Sequence, residues 1–181
     1  MVNSRMSRET LLPLLASHVL QEGLGGASLR PLAKAAGTSD RMLIYHFDNK
    51  ERLVVTLLAH LAEDYAKLLD QAFGPERAPS RAACLERVLR FSDHPDAAPY
   101  LTLWWDIVAG AARDLPGYRV AARQVMQRLL EWLEAQMPVD DPDPAGGARY
   151  LLTIIEGAQM LRAVGRGDIA DAGIEALPPS P

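Results

Sequence analysis

Residues 28–53 read SLRPLAKAAGTSDRMLIYHFDNKERL, and this stretch decides the fold. Its first apolar residues recur at three- and four-residue spacing, which predicts one face of a short helix; they are Leu29, Leu32, Ala33 and Ala36. Ser28 is a favourable N-cap for this helix, and Gly37 can adopt the left-handed conformation that ends it. Ser39 predicts the N-cap of a second helix, whose Leu43 and Phe47 can pack back on the first. The stretch therefore predicts two short helices around a tight turn.

Two helices joined in this way form a helix-turn-helix, the unit that lays its second helix in the major groove of DNA. The alternative is an αα-hairpin within an all-helical core, and a turn marked by glycine alone would favour it. Here the cap, the small residues, the turn and the aromatic run at residues 45–47 follow one another in order. This order favours DNA binding.

The side chains expected to contact DNA fall into two groups. Hydroxyls, ring nitrogens and an ammonium group near the helix ends can reach the phosphate backbone; they belong to Ser28, Thr38, Tyr45, His46 and Lys50. Side chains in the first turn of the second helix can reach base edges; they belong to Ser39, Asp40, Arg41 and Met42. Arg41 is the expected principal reader, and Arg30 completes the predicted DNA-binding set.

The chain resembles the N-terminal domain of the TetR-type (tetracycline-repressor-like) transcription regulators over its first quarter. The residues that carry the resemblance are Arg8, Leu11, Leu12, Val19, Gly23, Ser28, Leu32, Ala33, Ala36, Gly37, Ser39, Leu43, Tyr45, His46, Phe47, Lys50, Glu51 and Leu53. The resemblance implies a three-helix DNA-binding head followed by a divergent helical body for ligand binding and dimerisation. It also implies that two helices of each subunit form a four-helix bundle with those of a second copy.

The chain departs from the family pattern at five positions. Leu14 and Leu15 replace small residues, Asp40 a lysine, Arg41 a glycine or alanine, and Ile44 a tyrosine. The phosphate-contacting hydroxyl that the resemblance implies at position 44 is therefore absent. These differences are compatible with the fold and leave the operator sequence open.

Charge is distributed unevenly along the 181 residues. The chain carries a formal net charge of −4, whereas residues 1–52 hold seven basic and five acidic side chains and carry +2. The remainder therefore carries −6. A mildly basic head on an acidic body is compatible with phosphate binding, which depends on local positive charge.

The single cysteine, Cys84, excludes an internal disulfide and fits a reducing cytoplasm. A thiol sensor is the alternative to the buried small hydrophobic residue expected at this position. No basic and apolar leader and no apolar run of membrane-spanning length occur in the sequence. The sequence therefore predicts a soluble, cytoplasmic protein without membrane contact.

Helical periodicity continues through the remaining chain, and strand signals are nearly absent. Helices are predicted from Ser7 or Thr10 to Glu22, with Pro13 in the first turn or at a kink, and over residues 48–72, 81–92, 97–113, 118–136 and 148–164. Asp48 is the expected cap of the long helix. We expect an all-α protein with a helix-turn-helix domain over residues 1–52, a ligand-binding and dimerisation domain over 53–167, and a frayed tail of at most one weak turn over 168–181.

Catalytic and metal-binding patterns find no support in the sequence. The four histidines are isolated on separate elements, and no pair of histidines or cysteines has a metal-ligand spacing. No nucleophile elbow or phosphate-cradling loop occurs. We therefore expect neither an enzyme nor a cofactor.

Large aromatic side chains in the C-terminal body indicate an apolar ligand pocket, with simple core filling as the alternative. The expected lining lies among helices 48–72, 97–113, 118–136 and 148–164; its candidates are Tyr65, Tyr100, Trp104, Trp105, Met126 and Met160. Trp104 is preferred over its neighbour because it shares a helical face with Tyr100. No charged pair stands out as an anchor, so an apolar or aromatic effector is expected rather than a strongly anionic one.

Wide apolar stripes on helices 118–136 and 148–164 predict a homodimer interface, with a purely intrachain role as the alternative. Taken with the head, they predict a ligand-responsive repressor that binds a palindromic operator as a homodimer. The competing interpretation is a helical small-molecule-binding or protein-docking module with a degenerate DNA-binding head. Asp40 and Ile44 are the residues that motivate it.

Overall fold

The structure is a computed structural model, which describes residues 7–24 and 28–176. Within these ranges the chain forms α-helices and no strand, which confirms the predicted all-α class. The helices are α1 (Arg8–Glu22), α2 (Leu29–Ala35), α3 (Asp40–Phe47), α4 (Lys50–Phe73), α5 (Arg81–Ser92), α6 (Ala98–Ala112), α7 (Tyr118–Gln136), α8 (Pro144–Ala163) and α9 (Gly167–Glu175).

The first helix begins with a capping box. The Ser7 hydroxyl accepts a hydrogen bond from the Thr10 backbone N–H at 3.4 Å, and the Thr10 hydroxyl accepts one from the Ser7 N–H at 3.0 Å. The two bonds satisfy donors that the helix itself leaves unpaired. Helix α1 therefore begins at Arg8, not at Thr10, and continues through Pro13.

The predicted cap of α2 is confirmed in its position, whereas the predicted cap of α4 is wrong. Ser28 occupies the N-cap position of α2 with an extended backbone, but its side chain makes no capping hydrogen bond. Asp48 ends α3 with φ +69° instead of capping α4. The Asn49 side-chain oxygen caps α4 by accepting from the Arg52 N–H at 2.8 Å, because the Asp48 carboxylate is engaged by arginines instead.

The C-terminal helices also differ from the predictions. Helix α8 begins four residues earlier than expected, since Asp143 accepts from the Gly146 N–H at 2.9 Å and Pro144 fits the first helical position. Helix α9 lies where at most one turn was predicted. It is held to α8 by the ion pair between Arg162 and Asp171, at 3.0 Å, and by the buried Ala170.

The chain divides into two compact units. The first unit comprises residues 1–65 and 98–126, and the second comprises 66–97 and 127–181. The core of the first unit includes Leu11, Leu15, Val19, Leu32, Leu43, Phe47, Leu53, Leu57, Leu103, Ile107 and Tyr118. The domains expected to end at residues 52 and 167 are defined by function and not by compactness, so their boundaries stay a prediction.

The second unit buries its own set of apolar side chains. They include Leu69, Cys84, Leu85, Val88, Trp132, Leu133, Met137, Leu151 and Ile155. The Cys84 thiol is enclosed, and this burial raises its pKa to about 11, so the group is protonated at neutral pH. The expectation that Cys84 is buried is confirmed.

No helix among the described residues is both long enough and apolar enough to cross a membrane.

Candidate DNA-binding site

A tight turn joins α2 to α3 and folds the chain back on α2. Gly37 takes φ +63°, a conformation that glycine adopts without strain. The Thr38 N–H then donates to the Ala33 carbonyl at 2.8 Å. The Ser39 hydroxyl accepts from the Met42 N–H at 3.3 Å, which confirms the predicted cap of the second helix. Residues 29–47 are thus a helix-turn-helix.

Packing fixes which face of α3 is turned outward. Leu43 and Phe47 are four residues apart and fully buried in the core of the first unit. On the other side Arg41 is exposed, Met42 is 36% exposed and Tyr45 is 75% exposed. Ser39 is also exposed, and Asp40 is partly buried. The predicted base-reading residues, Ser39 to Met42, therefore all lie on or beside the first turn of α3.

The predicted phosphate-contacting residues lie at or near the ends of α2, α3 and α4. Ser28, Tyr45 and Lys50 are exposed, whereas Thr38 and His46 are partly buried. The His46 ring lies edge-on to the Tyr45 ring at 5.2 Å between centroids, and its Nε2 is enclosed without a hydrogen-bond partner among the described residues. His46 is therefore less available to a phosphate than the other members of the group.

Ion pairing leaves a local positive excess. The Asp48 carboxylate lies 2.8 Å from the Arg52 guanidinium and 3.6 Å from that of Arg8, so this acid is neutralised within the protein. Among the described residues, four cations of α2, α3 and α4 have no carboxylate within ion-pairing distance; they are Arg30, Lys34, Arg41 and Lys50. Binding of such cations to DNA phosphates would release the counterions condensed there, which favours association.

The sequence prediction missed two residues of this surface. Lys34 is exposed on α2, four residues after Arg30. Four-residue spacing puts two side chains on the same helical face, so this spacing could have identified Lys34. Arg8 donates from Nε to the His46 carbonyl at the end of α3, and its guanidinium lies 5.8 Å from the Phe47 ring centroid. No local pattern reveals Arg8, because its partners are about forty residues away in the sequence.

The predicted ligand-pocket residues lie mainly in the first unit. The Tyr65 and Tyr100 rings are in contact at 5.2 Å, and Trp104 packs beside Tyr100 against the core. Burial, assisted by the nearby Asp64 carboxylate, raises the pKa of Tyr100. Trp105 and Met126 are partly buried, whereas Met160 belongs to the second unit and is 54% exposed. That these six residues line one pocket stays a prediction.

Comparison with known proteins agrees with the helix-turn-helix geometry. The family model described as "Bacterial regulatory proteins, tetR family" matches residues 17–57, a range that contains α2, the turn and α3. SCO7518 of Streptomyces coelicolor A3(2), a candidate transcriptional regulator, is 27% identical with a TM-score of 0.68, covering 94% of this chain and 98% of that one. Residues 17–57 of the chain are therefore similar to the tetR family.

Other solved structures share the tetR-family fold at lower identity. The multidrug binding protein EbrR, in complex with proflavin, is 20% identical with a TM-score of 0.69 and covers 94% of this chain and 96% of its own. Reduced E. coli NemR is 20% identical with a TM-score of 0.65 and covers 96% and 98%. No curated protein is significantly similar. These similarities support a DNA-binding transcriptional regulator rather than an enzyme.

Replacing Lys50 with alanine is expected to weaken binding to all DNA sequences alike. Lys50 is the first residue of α4, where a cation is disfavoured by the helix dipole, so its removal does not destabilise the helix. Loss of one phosphate contact should reduce the slope of log affinity against log salt by about one unit. Fluorescence anisotropy over a salt series measures this, with Lys67→Ala on the same helix as the control. A loss confined to one base position would contradict the phosphate role.

Proposed function

We propose that this regulator is a repressor that binds a palindromic operator as a homodimer and is released by a small apolar or aromatic effector. One observation carries the DNA-binding part of the proposal. The first turn of α3 presents Arg41 and Met42 outward while Leu43 and Phe47 hold the helix from behind. A recognition helix needs this division between an outer reading face and a buried face.

The dimer is supported by the two-sided character of α7 and α8. On α8, Leu151, Ile155 and Ala158 are buried within the chain, whereas Ile154 and Leu161 are only partly covered. On α7, Leu133 is buried and other apolar side chains of the helix are partly covered; they are Ala122, Val125, Met126, Leu129 and Leu130. A Cβ added at Gly157 would meet no heavy atom within 4 Å, so this part of α8 is open to a close neighbour. We assign the interface to helices 118–136 and 148–164, within α7 and α8.

Dimer symmetry gives the proposed mechanism. Two recognition helices related by a twofold axis and held about 34–36 Å apart would match successive major grooves of a palindromic site. An effector that favours a different spacing would weaken operator binding, and by linkage the operator would weaken effector binding by the same factor. EbrR binds proflavin, a planar aromatic molecule, and this supports an aromatic effector for a protein of the same fold. In this proposal residues 1–52 bind DNA, residues 53–167 bind the ligand and the second copy, and residues 168–181 are a tail.

Selection from a random duplex pool tests the proposal. The purified chain is expected to enrich a palindrome whose half-sites are one helical turn apart. A single unpaired half-site would contradict binding as a dimer. Absence of any binding at low salt would favour the alternative, a ligand-binding or protein-docking module with a degenerate head.

Replacing Arg41 with alanine is expected to cost roughly 1–3 kcal/mol of binding free energy and to relax the preference at one position of each half-site. The guanidinium can donate to both O6 and N7 of a guanine, a pairing that alanine cannot make. Repeating the pool selection with the variant measures both effects, and Arg77→Ala, at an exposed arginine in the loop before α5, is the matched control. An unchanged motif with only a lower affinity would mean that Arg41 contacts a phosphate.

A further inference from the structure

A cavity of about 630 Å³ lies in the second unit, between the end of α4 and α5. Its apolar wall includes Leu68 and Phe73 from α4 and Phe91 from α5. Arg87 and His94 lie at the same cavity. The volume is within the range of small-molecule sites, which combine apolar walls with a few polar groups.

Contacts with neighbouring side chains hold the aromatic wall of this cavity in place. The Phe91 ring stacks on the His94 ring with centroids 5.9 Å apart and an interplanar angle of 7°, and it meets the Phe73 ring at 6.5 Å. Phe73 is in turn edge-on to the buried Trp132 at 5.0 Å. The Trp132 indole N–H donates to the Asp70 carboxylate at 2.7 Å. The rings are therefore held in place before any ligand binds, which lowers the entropic cost of binding.

Arg87 is an arginine of the cavity that makes no ion pair with the described residues. Its Nη1 donates to the Glu76 carbonyl at 3.3 Å, and the described residues offer its guanidinium no carboxylate within ion-pairing distance. Arg90 pairs with Glu86, and the Asp96 carboxylate lies 3.5 Å from the His94 ring. A partly buried guanidinium with free donors favours a planar carboxylate, to which it can make two parallel hydrogen bonds.

We propose that this α4–α5 cavity binds a planar aromatic carboxylate, with its ring against Phe73 and Phe91 and its carboxylate on Arg87. This site lies in the second unit and does not use Tyr65, Tyr100 or Trp104 of the predicted effector pocket. No sequence pattern indicates this site, because its anchor is a single arginine that only the fold brings to an aromatic wall. The proposal is independent of operator binding.

Calorimetric titration of the full-length chain with 1-naphthoate and with 1-naphthamide tests the proposal. The two probes share a ring system and differ in charge, so the carboxylate is expected to bind at least about tenfold more tightly than the amide. Binding of both probes with equal affinity, or of neither at millimolar concentration, would overturn the proposal. This comparison needs no variant and therefore does not depend on how a substitution folds.

A second measurement locates the bound probe. Arg87→Met is expected to weaken 1-naphthoate binding by about tenfold and leave 1-naphthamide unchanged, whereas Arg113→Met, at an exposed arginine just after α6, should change neither. The Trp132 indole N–H signal, identified by its loss in Trp132→Phe, should shift when 1-naphthoate binds because its ring contacts Phe73. Unchanged affinity in Arg87→Met together with an unshifted Trp132 signal would place the probe elsewhere and refute the assignment.

Discussion

Replacing Asp141 with alanine is expected to lower the free energy of unfolding by about 3 kcal/mol, because it leaves a partly buried guanidinium without its partner. The Asp141 carboxylate is only 2% exposed and accepts two hydrogen bonds from Arg81, at 2.7 and 2.6 Å. Its Oδ1 also accepts from the Asp143 N–H at 2.9 Å, and Asp143 caps α8. The substitution should therefore loosen both the start of α5 and the start of α8. Urea denaturation measures the loss.

The control for this experiment is a surface pair of the same geometry. Arg166 and Asp168 also make two hydrogen bonds, both at 2.9 Å, but their side chains are 55% and 65% exposed. Exposed pairs contribute little to stability, so Asp168→Ala should lower the unfolding free energy far less than Asp141→Ala does. Equal losses in the two variants would show that the burial of Asp141 has no energetic consequence.

The same ion pair predicts a pH dependence. Hydrogen bonding to Arg81 lowers the pKa of Asp141 below its ordinary value of 3.8. A carboxyl group whose pKa is lower in the folded state stabilises the protein above its unfolded pKa and loses that contribution as the pH falls through the folded pKa. The difference in stability between the wild type and Asp141→Ala should therefore be constant near neutral pH and shrink below about pH 4.

Local signals in the sequence were sufficient for most of the helix-turn-helix. Gly37 adopts its left-handed conformation and Ser39 caps α3, and both features depend only on neighbouring residues. Asp48 and Asn49 are chemically similar caps, and the choice between them could not be made locally. It depends on Arg8 and Arg52, which hold the Asp48 carboxylate and leave the cap to Asn49.

The C-terminal differences have two different causes. The start of α8 was encoded locally, since Asp143 and Pro144 are a favourable cap and first residue, but the surrounding proline and glycine residues favoured a loop. Helix α9 is short, and short helices need tertiary contacts, here those of Arg162 with Asp171. The α4–α5 cavity requires residues from two helices and could not be inferred from either alone.

Replacing Gly110 with alanine is expected to destabilise the protein by about 3 kcal/mol, although alanine is the better helix former by about 1 kcal/mol. Gly110 lies inside α6, and a Cβ there would be 2.1 Å from Cδ1 of Tyr118 and 2.5 Å from its Cε1. Two non-bonded carbon atoms cannot approach so closely. The Tyr118 ring is only 7% exposed and belongs to the core of the first unit, so it cannot move aside without disturbing that core.

Thermal and urea denaturation of a matched set of variants separate this clash from helix propensity. Gly173 lies inside α9, and a Cβ there would meet no heavy atom within 4 Å, so Gly173→Ala should be neutral or stabilising. Tyr118→Val replaces the ring with a small side chain and so removes the obstacle. The double variant with Gly110→Ala should therefore lose clearly less stability than the two single variants lose in sum. A Gly110→Ala protein as stable as the wild type would show that α6 and Tyr118 do not pack in this way. Tyr118 belongs to the same core as Leu43 and Phe47, which hold α3 with Arg41 facing outward.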